Sequence, residues 1–152
     1  MPLKLLIPAF AEGGTIPKLH TGEGADVSPA LEWSGAPAGT QSFALIVDDP
    51  DAPVGTWTHW LLWDVPASEH SLPQGFKPGP AGVEGVNDFG RSGYGGPMPP
   101  KGHGPHRYFF KLFALDVATL GLRAKSRRAD VDHALQGHVL AAAQYMGRFE
   151  RR

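Results

Sequence analysis

The stretch YFFKLFAL, Tyr108–Leu115, is the strongest strand signal in the chain. Four of its eight residues are aromatic, and aromatic side chains favour the pleated, half-buried backbone of a β-sheet. Two further runs, SFALIVD at Ser42–Asp48 and THWLLWDV at Thr58–Val65, are apolar at nearly every position. Strands with apolar residues on both faces are covered on both sides. These three runs therefore predict the buried centre of a sheet.

The rest of the chain predicts short strands separated by many turns. There are 20 glycines and 15 prolines among the 152 residues, about double the usual share, and they are interleaved with apolar runs. Weaker strand candidates lie at Leu3–Ile7, Leu31–Trp33, Val83–Phe89 and Tyr145–Phe149. This pattern predicts a mainly-β fold, a Greek-key β-sandwich, and the length predicts one domain over residues 1–152.

One helix is predicted late in the chain, at about Ala129–Ala143. Its apolar residues follow a helical spacing, and either Asp130 or Ser126 could cap its first turn. The apolar stripe consists of Val131, Ala134, Leu135, Val139, Ala142 and Ala143.

Composition excludes several classes of function. The 14 basic and 15 acidic residues leave a formal charge of −1, whereas a protein that binds nucleic acid usually carries a positive excess. Without cysteine there is no disulfide, iron–sulfur cluster or thiol chemistry. No run approaches the roughly 18 apolar residues of a membrane span, and Pro8 interrupts the brief apolar start. We expect a cytoplasmic protein with no stable membrane insertion.

Immediately before the strongest strand lies PPKGHGPHRY, Pro99–Tyr108, a stiff loop that ends in three polar side chains. If the strand already begins at His106, then His106 and Tyr108 point to one face and Arg107 to the other. The imidazole and the phenol could then converge on one small ligand. Arg107 would support a loop, or pair with a carboxylate of the segment at residues 48–53.

That acidic segment, DDPDAP at Asp48–Pro53, follows the buried strand Ser42–Asp48. Pro50 and Pro53 restrict the backbone and remove two N–H donors, so the segment cannot form a central strand. It either aims a carboxylate inward or simply ends the strand in an Asx-type turn. Nearby, His59 would share a strand face with Leu61 and Trp63, where a histidine is either a hydrogen-bonded core residue or a ligand-binding group.

Templates for enzymes and metal sites match poorly. The segment GRSGY at 90–94 has Tyr94 where a nucleophile elbow needs its last glycine. His103 and His106, with His59 and Asp49, are residue types that could bind zinc, but a glycine-rich loop gives the pair no helical face. We therefore expect neither a metal nor a cofactor.

Taken together, these segments resemble a known family. The pair "DDPDAPVGTWTHWLLWDVP" and "GYGGPMPPKGHGPHRYFFKLFALD", with the tail "GHVLAAAQYMGRFER", is similar to the phosphatidylethanolamine-binding protein (PEBP) family. It looks most like the bacterial and archaeal branch of Raf kinase inhibitor-like proteins. The resemblance implies a Greek-key β-sandwich with an anion-binding pocket at one end. Its wall would consist of Asp49, His59, Pro100, His106 and Tyr108, with contributions from Asp51 and the backbone at Gly96.

The expected ligand is phosphate, a phospholipid headgroup or a carboxylate. It would accept hydrogen bonds from a histidine, from the Tyr108 hydroxyl and from a backbone N–H near Gly96. Asp49 would repel such an anion, so it should instead orient a histidine or accept a hydrogen bond from an ammonium group of the ligand.

Two other functions stay open at this point. A hydrolase could use the histidine, aspartate and tyrosine side chains of the pocket as acid and base, although no nucleophile is evident. A regulator could act on a kinase or protease through protein contacts, as the resemblance also implies. The four tryptophans are expected in the core or pocket wall; if exposed, they could support a homodimer.

Overall fold

A computed structural model describes residues 2–79 and 81–152. Most of its regular structure is β-strand. The strands in chain order are β1 (Lys4–Leu6), β2 (Leu31–Ser34), β3 (Ser42–Asp49), β4 (Trp57–Pro66), β5 (Ser71–Leu72), β6 (Val83–Glu84), β7 (His106–Leu115) and β8 (Val139–Phe149). The helical elements in the described part are a 3-10 turn, Lys18–His20, and the helix α1, Arg128–Leu135. None of its helices is long and apolar enough to cross a membrane.

Two antiparallel sheets form the predicted sandwich. The small sheet has the order β1-β2-β5, and the large one has the order β6-β4-β3-β7-β8. Strand β7 returns over a long connection to pair with β3, which is the kind of non-local pairing that a Greek key requires. The mainly-β sandwich fold is thus confirmed.

The central strands β3 and β4 are buried on both faces, as their continuous apolar runs predict. One face of each strand contributes to the core between the sheets, where Phe43 and Trp60 lie. The other face packs under α1, where Ile46 and Trp63 meet Val131. Because hydrophobic contacts cover both sides, these strands form a rigid base for whatever is attached to their ends.

The predicted helix Ala129–Ala143 is only half right. The helix α1 ends at Leu135, Gly137 takes a left-handed φ of 80°, and the chain then continues as β8. Residues 139–149 pair with β7 along its whole length, from Leu115↔Val139 to His106↔Phe149. The small residues Ala141 and Ala143 pack on the core at strand spacing. Long-range pairing therefore overrode a local pattern that alanines satisfy equally well in a helix.

The weaker candidate Val83–Phe89 is also shorter than predicted, since β6 ends at Glu84. The buried side chain of Asn87 organises the following loop instead. Its Oδ1 accepts the backbone N–H groups of Phe89 and Arg91, and its Nδ2 donates to the carbonyl of Gly93. An asparagine that satisfies three backbone groups stabilises a turn where a strand ladder would otherwise continue.

Candidate functional site

Three strand ends meet at one edge of the large sheet. Because β3 is antiparallel to both β4 and β7, its end at Asp49 lies beside the starts of the other two, Trp57 and His106. A cavity of about 220 Å³ opens there, smaller than the roughly 300–1,000 Å³ typical of drug-sized ligands. Its lining consists of Asp49, Ala52, Pro53, Val54, Trp57, His59, Phe89, Met98, Pro99, Pro100, His106 and Tyr108.

The structure brings together five of the seven residues predicted for the pocket wall: Asp49, His59, Pro100, His106 and Tyr108. The strand does begin at His106, and the expected alternation holds, because His106 and Tyr108 are buried while Arg107 is exposed. Pro53 also lines the cavity, and Pro50 sits in the turn between β3 and β4.

Asp49 and His106 form a buried pair at the floor of the cavity. Oδ2 of Asp49 lies 2.7 Å from Nδ1 of His106, and the two residues are 3% and 2% exposed. A carboxylate only accepts hydrogen bonds, so Nδ1 is the donor. The other oxygen, Oδ1, accepts the backbone N–H of Asp51 at 2.7 Å. This is the contact expected of a carboxylate that orients a histidine.

The second nitrogen of His106 is also occupied. Nδ1 of His103 lies 2.6 Å from Nε2 of His106, and the two rings meet nearly edge to face. His103 belongs to the glycine-rich loop, and this loop folds its side chain back onto the buried ring of His106. In the described residues, no group of three or more histidine, aspartate and glutamate side chains is placed to hold a metal ion.

His59 presents a different chemistry. Its Nδ1 lies 2.6 Å from the carbonyl oxygen of Gly95, which fixes Nδ1 as a donor. Burial lowers the pKa of His59 because the charged ring is poorly solvated. The ring is therefore neutral near pH 7, and its remaining nitrogen, Nε2, is an acceptor. Nε2 of His59 can therefore accept a hydrogen bond but not donate one to an anion.

Tyr108 carries a hydroxyl group that nothing in the described chain satisfies. The residue is 1% exposed, and its hydroxyl oxygen is buried without a hydrogen-bond partner. Burial, and then the negative charge of the nearby Asp49 carboxylate, which does not reach hydrogen-bond geometry with this hydroxyl, raise the pKa of Tyr108 far above its ordinary value, so the hydroxyl stays protonated. Nε1 of Trp57, another lining residue, is likewise buried without a partner in the described residues. Buried polar groups are rarely left unpaired.

Two predicted wall residues lie outside the cavity. The carboxylate of Asp51 accepts hydrogen bonds from Nε of Arg107 at 2.9 Å and from its Nη2 at 2.8 Å. The predicted pairing of Arg107 with this segment is therefore present, and it occupies Asp51. The arginine also lowers the pKa of Asp51 to about 2, as expected for a carboxylate beside a guanidinium.

Gly96 is the second predicted wall residue that lies outside the cavity. Its backbone N–H donates to Oδ1 of Asp26 at 2.7 Å, so it is not free to bind an anion. A β-carbon at Gly96 would collide with the carbonyl oxygen of His20 and with Asp26. Gly96 is thus needed for close packing against the 3-10 turn, behind the pocket wall, rather than for contact with a ligand.

Sequence reasoning missed the apolar residues around the opening. Val54, Phe89 and Met98 are 78%, 37% and 39% exposed, respectively, and all three line the cavity. Phe89 also packs edge to face on His59. Val54 directly follows the acidic segment, and Phe89 and Met98 lie in loops that only the tertiary structure brings to the opening.

Arg151 supports the loop that carries His103. Its Nε donates to the carbonyl of Pro99 at 2.6 Å, and its own carbonyl accepts the N–H of Gly102 at 2.9 Å. These two hydrogen bonds of Arg151 hold the segment at residues 99–102 against the end of β8.

A consequence of the neutral His59 can be measured as a pH-dependent stability. With a folded-state pKa below the unfolded value of about 6.5, the unfolded chain binds a proton first as the pH falls. The contribution of a neutral, buried His59 to the free energy of unfolding is therefore retained above pH 6.5. Below that pH it decreases by at most about 1.4 kcal/mol for each pH unit. We expect the stability difference between His59→Asn and wild type to shift in favour of the variant between pH 7.5 and 5.5.

Denaturant unfolding at the two pH values gives this difference. Asparagine retains a donor near the position of Nδ1 for the Gly95 carbonyl, and the other six histidines are present in both proteins. A stability difference that does not change with pH would mean that the buried ring accepts its proton as readily as an exposed one.

Comparison with known proteins places the chain among its relatives. The family model described as phosphatidylethanolamine-binding protein matches residues 7–150. A UPF0098 protein of Aquifex aeolicus is 50% identical over 146 residues, which are 94% of this chain and 85% of the relative. The crystal structure of Escherichia coli YbcL, described as a new member of the mammalian PEBP family, has a TM-score of 0.93 with 36% identity and covers 100% of both chains.

A more distant structure shares the fold alone. A carboxypeptidase Y inhibitor complexed with its cognate proteinase superimposes with a TM-score of 0.63 at 17% identity, over 99% of this chain and 85% of the inhibitor.

Proposed function

This chain belongs to the phosphatidylethanolamine-binding protein family, and we propose that it is a binding protein for a small oxyanion, phosphate or a phosphate monoester headgroup. The observation that carries the proposal is the buried, unpartnered hydroxyl of Tyr108 in a lining otherwise rich in apolar groups. A protonated hydroxyl without an acceptor is costly to bury. A ligand oxygen in the cavity would satisfy it.

The polar atoms of the cavity suit a partly protonated phosphate. The Tyr108 hydroxyl donates to a charged oxygen, and Nε1 of Trp57 is a second donor. Nε2 of the neutral His59 accepts from a P–OH group, which phosphate retains near neutral pH because its second pKa is about 6–7. Both carboxylate oxygens of Asp49 already accept hydrogen bonds, from His106 and from the backbone N–H of Asp51, which reduces its repulsion of an anion.

The apolar rim of Val54, Phe89 and Met98 then contacts whatever extends from the headgroup out of the cavity. A headgroup in a cavity of about 220 Å³ leaves no room for the rest of a larger molecule. Phosphoethanolamine is therefore a suitable second probe beside inorganic phosphate, and the relatives' family description motivates it.

We further propose that this pocket binds without turnover. Among the described lining residues, Tyr108 has the only hydroxyl group, and none is serine, threonine or lysine. The raised pKa of Tyr108 makes its oxygen a poor nucleophile near pH 7. Incubation with a panel of phosphate monoesters should release no phosphate above a buffer control. Release that His59→Ala or His106→Ala abolishes would instead establish the hydrolase alternative.

Titration with inorganic phosphate, followed by NMR of the ¹⁵N-labelled protein, tests the binding proposal. We expect saturable shifts at Trp57 Nε1 and at the backbone of residues 49–59 and 98–108. Sulfate, which carries no proton near pH 7, should bind more weakly because Nε2 of His59 has nothing to accept. Shifts confined to exposed lysines and arginines elsewhere, or equal binding of sulfate, would contradict the proposed site.

A further inference from the structure

His106 has no free hydrogen-bonding atom in the described chain. An imidazole ring has two nitrogens, and both are occupied, Nδ1 by Asp49 at 2.7 Å and Nε2 by His103 at 2.6 Å. A ligand that needs His106 must therefore compete with one of these partners. Asp49 is 3% exposed and held by a second hydrogen bond from Asp51, whereas His103 lies at the surface.

The loop around His103 is built so that this side chain can leave without disturbing the backbone. His103 lies between two glycines with left-handed φ values, 75° at Gly102 and 86° at Gly104. The preceding backbone is held in place by the contacts of Arg151 to Pro99 and Gly102. An exposed ring on an anchored turn can rotate into water by changing its side-chain torsions alone, on a fast timescale.

We propose that His103 is a displaceable internal partner of His106, and that an oxyanion entering the cavity takes its place on Nε2. Because Nδ1 of His106 donates to Asp49, Nε2 of a neutral ring accepts from Nδ1–H of His103, and the P–OH group of a partly protonated phosphate replaces one donor by another. This inference rests on the proposed anion binding and identifies how that site is regulated. On this proposal, His103 competes with the ligand for Nε2 of His106 and does not itself bind the ligand.

The proposal predicts that removing His103 strengthens binding. His103→Ala should bind inorganic phosphate about 2- to 10-fold more tightly than wild type, the factor that corresponds to one net hydrogen bond. His103→Asn retains a hydrogen-bonding atom near the position of Nδ1 and should stay close to wild type. His70→Ala, which removes an exposed histidine at another place, is the matched control and should not differ.

Isothermal titration with phosphate on the full chain measures the three variants, and long-range ¹H–¹⁵N spectra of wild type follow Nδ1 of His103, which should shift as phosphate binds. Weaker binding by His103→Ala would show that His103 holds the ligand itself, and would overturn the proposal. Equal binding by His103→Ala and wild type would overturn the proposed displacement of His103 and leave the proposed phosphate binding intact. Absence of phosphate binding in every variant would overturn the proposed function and the displacement together.

Discussion

Replacing Asp49 by alanine is expected to lower the free energy of unfolding by about 1 to 3 kcal/mol, the usual cost of leaving a buried hydrogen-bonding group without its partner. The substitution leaves Nδ1 of His106 without its acceptor in a site that is 2% exposed. It also removes the acceptor of the Asp51 N–H, which holds the turn after β3. A loss of this size is a large part of the roughly 5 to 15 kcal/mol that stabilises a typical domain.

Two further variants serve as comparisons for the stability of Asp49→Ala. Asp49→Asn keeps an acceptor of the same shape and should lose less stability than alanine. Asp51→Ala removes the neighbouring carboxylate, whose pKa is lowered to about 2 by Arg107. That pair is at the surface, with side chains 28% and 49% exposed, so solvent screens it and its contribution to the free energy of unfolding is small.

The contribution of Asp51 to stability depends on pH. Since the folded-state pKa of Asp51 is lowered, its small contribution is present above the unfolded value of about 3.9 and disappears as the pH falls toward 2. Urea unfolding at pH 7 measures all three variants. If Asp49→Ala and Asp51→Ala destabilised the protein equally, the buried pair at the cavity floor would have no special role.

Tyr108→Phe is expected to weaken phosphate binding by about 10- to 100-fold, because hydrogen bonds to charged groups contribute roughly 1.5 to 3 kcal/mol. The same change should leave the empty protein as stable as wild type, or slightly more stable. The hydroxyl has no partner to lose in the described chain, and phenylalanine retains the ring that packs edge to face against His59. Binding and stability would then change in opposite directions.

Tyr145→Phe is the matched control for Tyr108→Phe. The Tyr145 hydroxyl donates to the carbonyl of Phe10 at 2.5 Å, away from the cavity. Its removal should cost about 1 kcal/mol of stability and leave phosphate affinity unchanged. Calorimetric titration and thermal unfolding on both variants make the comparison. A Tyr108→Phe protein that binds phosphate normally would remove the main support for the proposed function.

Local features of the chain were sufficient to predict the central strands and the orientation of His106, Arg107 and Tyr108, whereas the set of residues in the cavity wall came from the resemblance to the family. The apolar runs of β3, β4 and β7 are dense enough to form strands in almost any context. The alternation of a strand fixes His106 and Tyr108 on one face and Arg107 on the other. The two prolines of the acidic turn restrict the backbone wherever that turn lies. Such properties depend on neighbours within a few residues, so they can be read without knowing the fold.

Distant partners determined the remaining features. Residues 139–143 became strand because β7 offered a full ladder of hydrogen bonds, although their local pattern also fits a helix. His59 is a neutral acceptor because Gly95 takes the proton-bearing nitrogen and burial disfavours the charge. Gly96 is occupied by Asp26, and His103 by His106. The state of each of these groups depends on which atoms the fold places within 3 Å of it and on how much water the fold excludes, and a residue's neighbours in the chain specify neither.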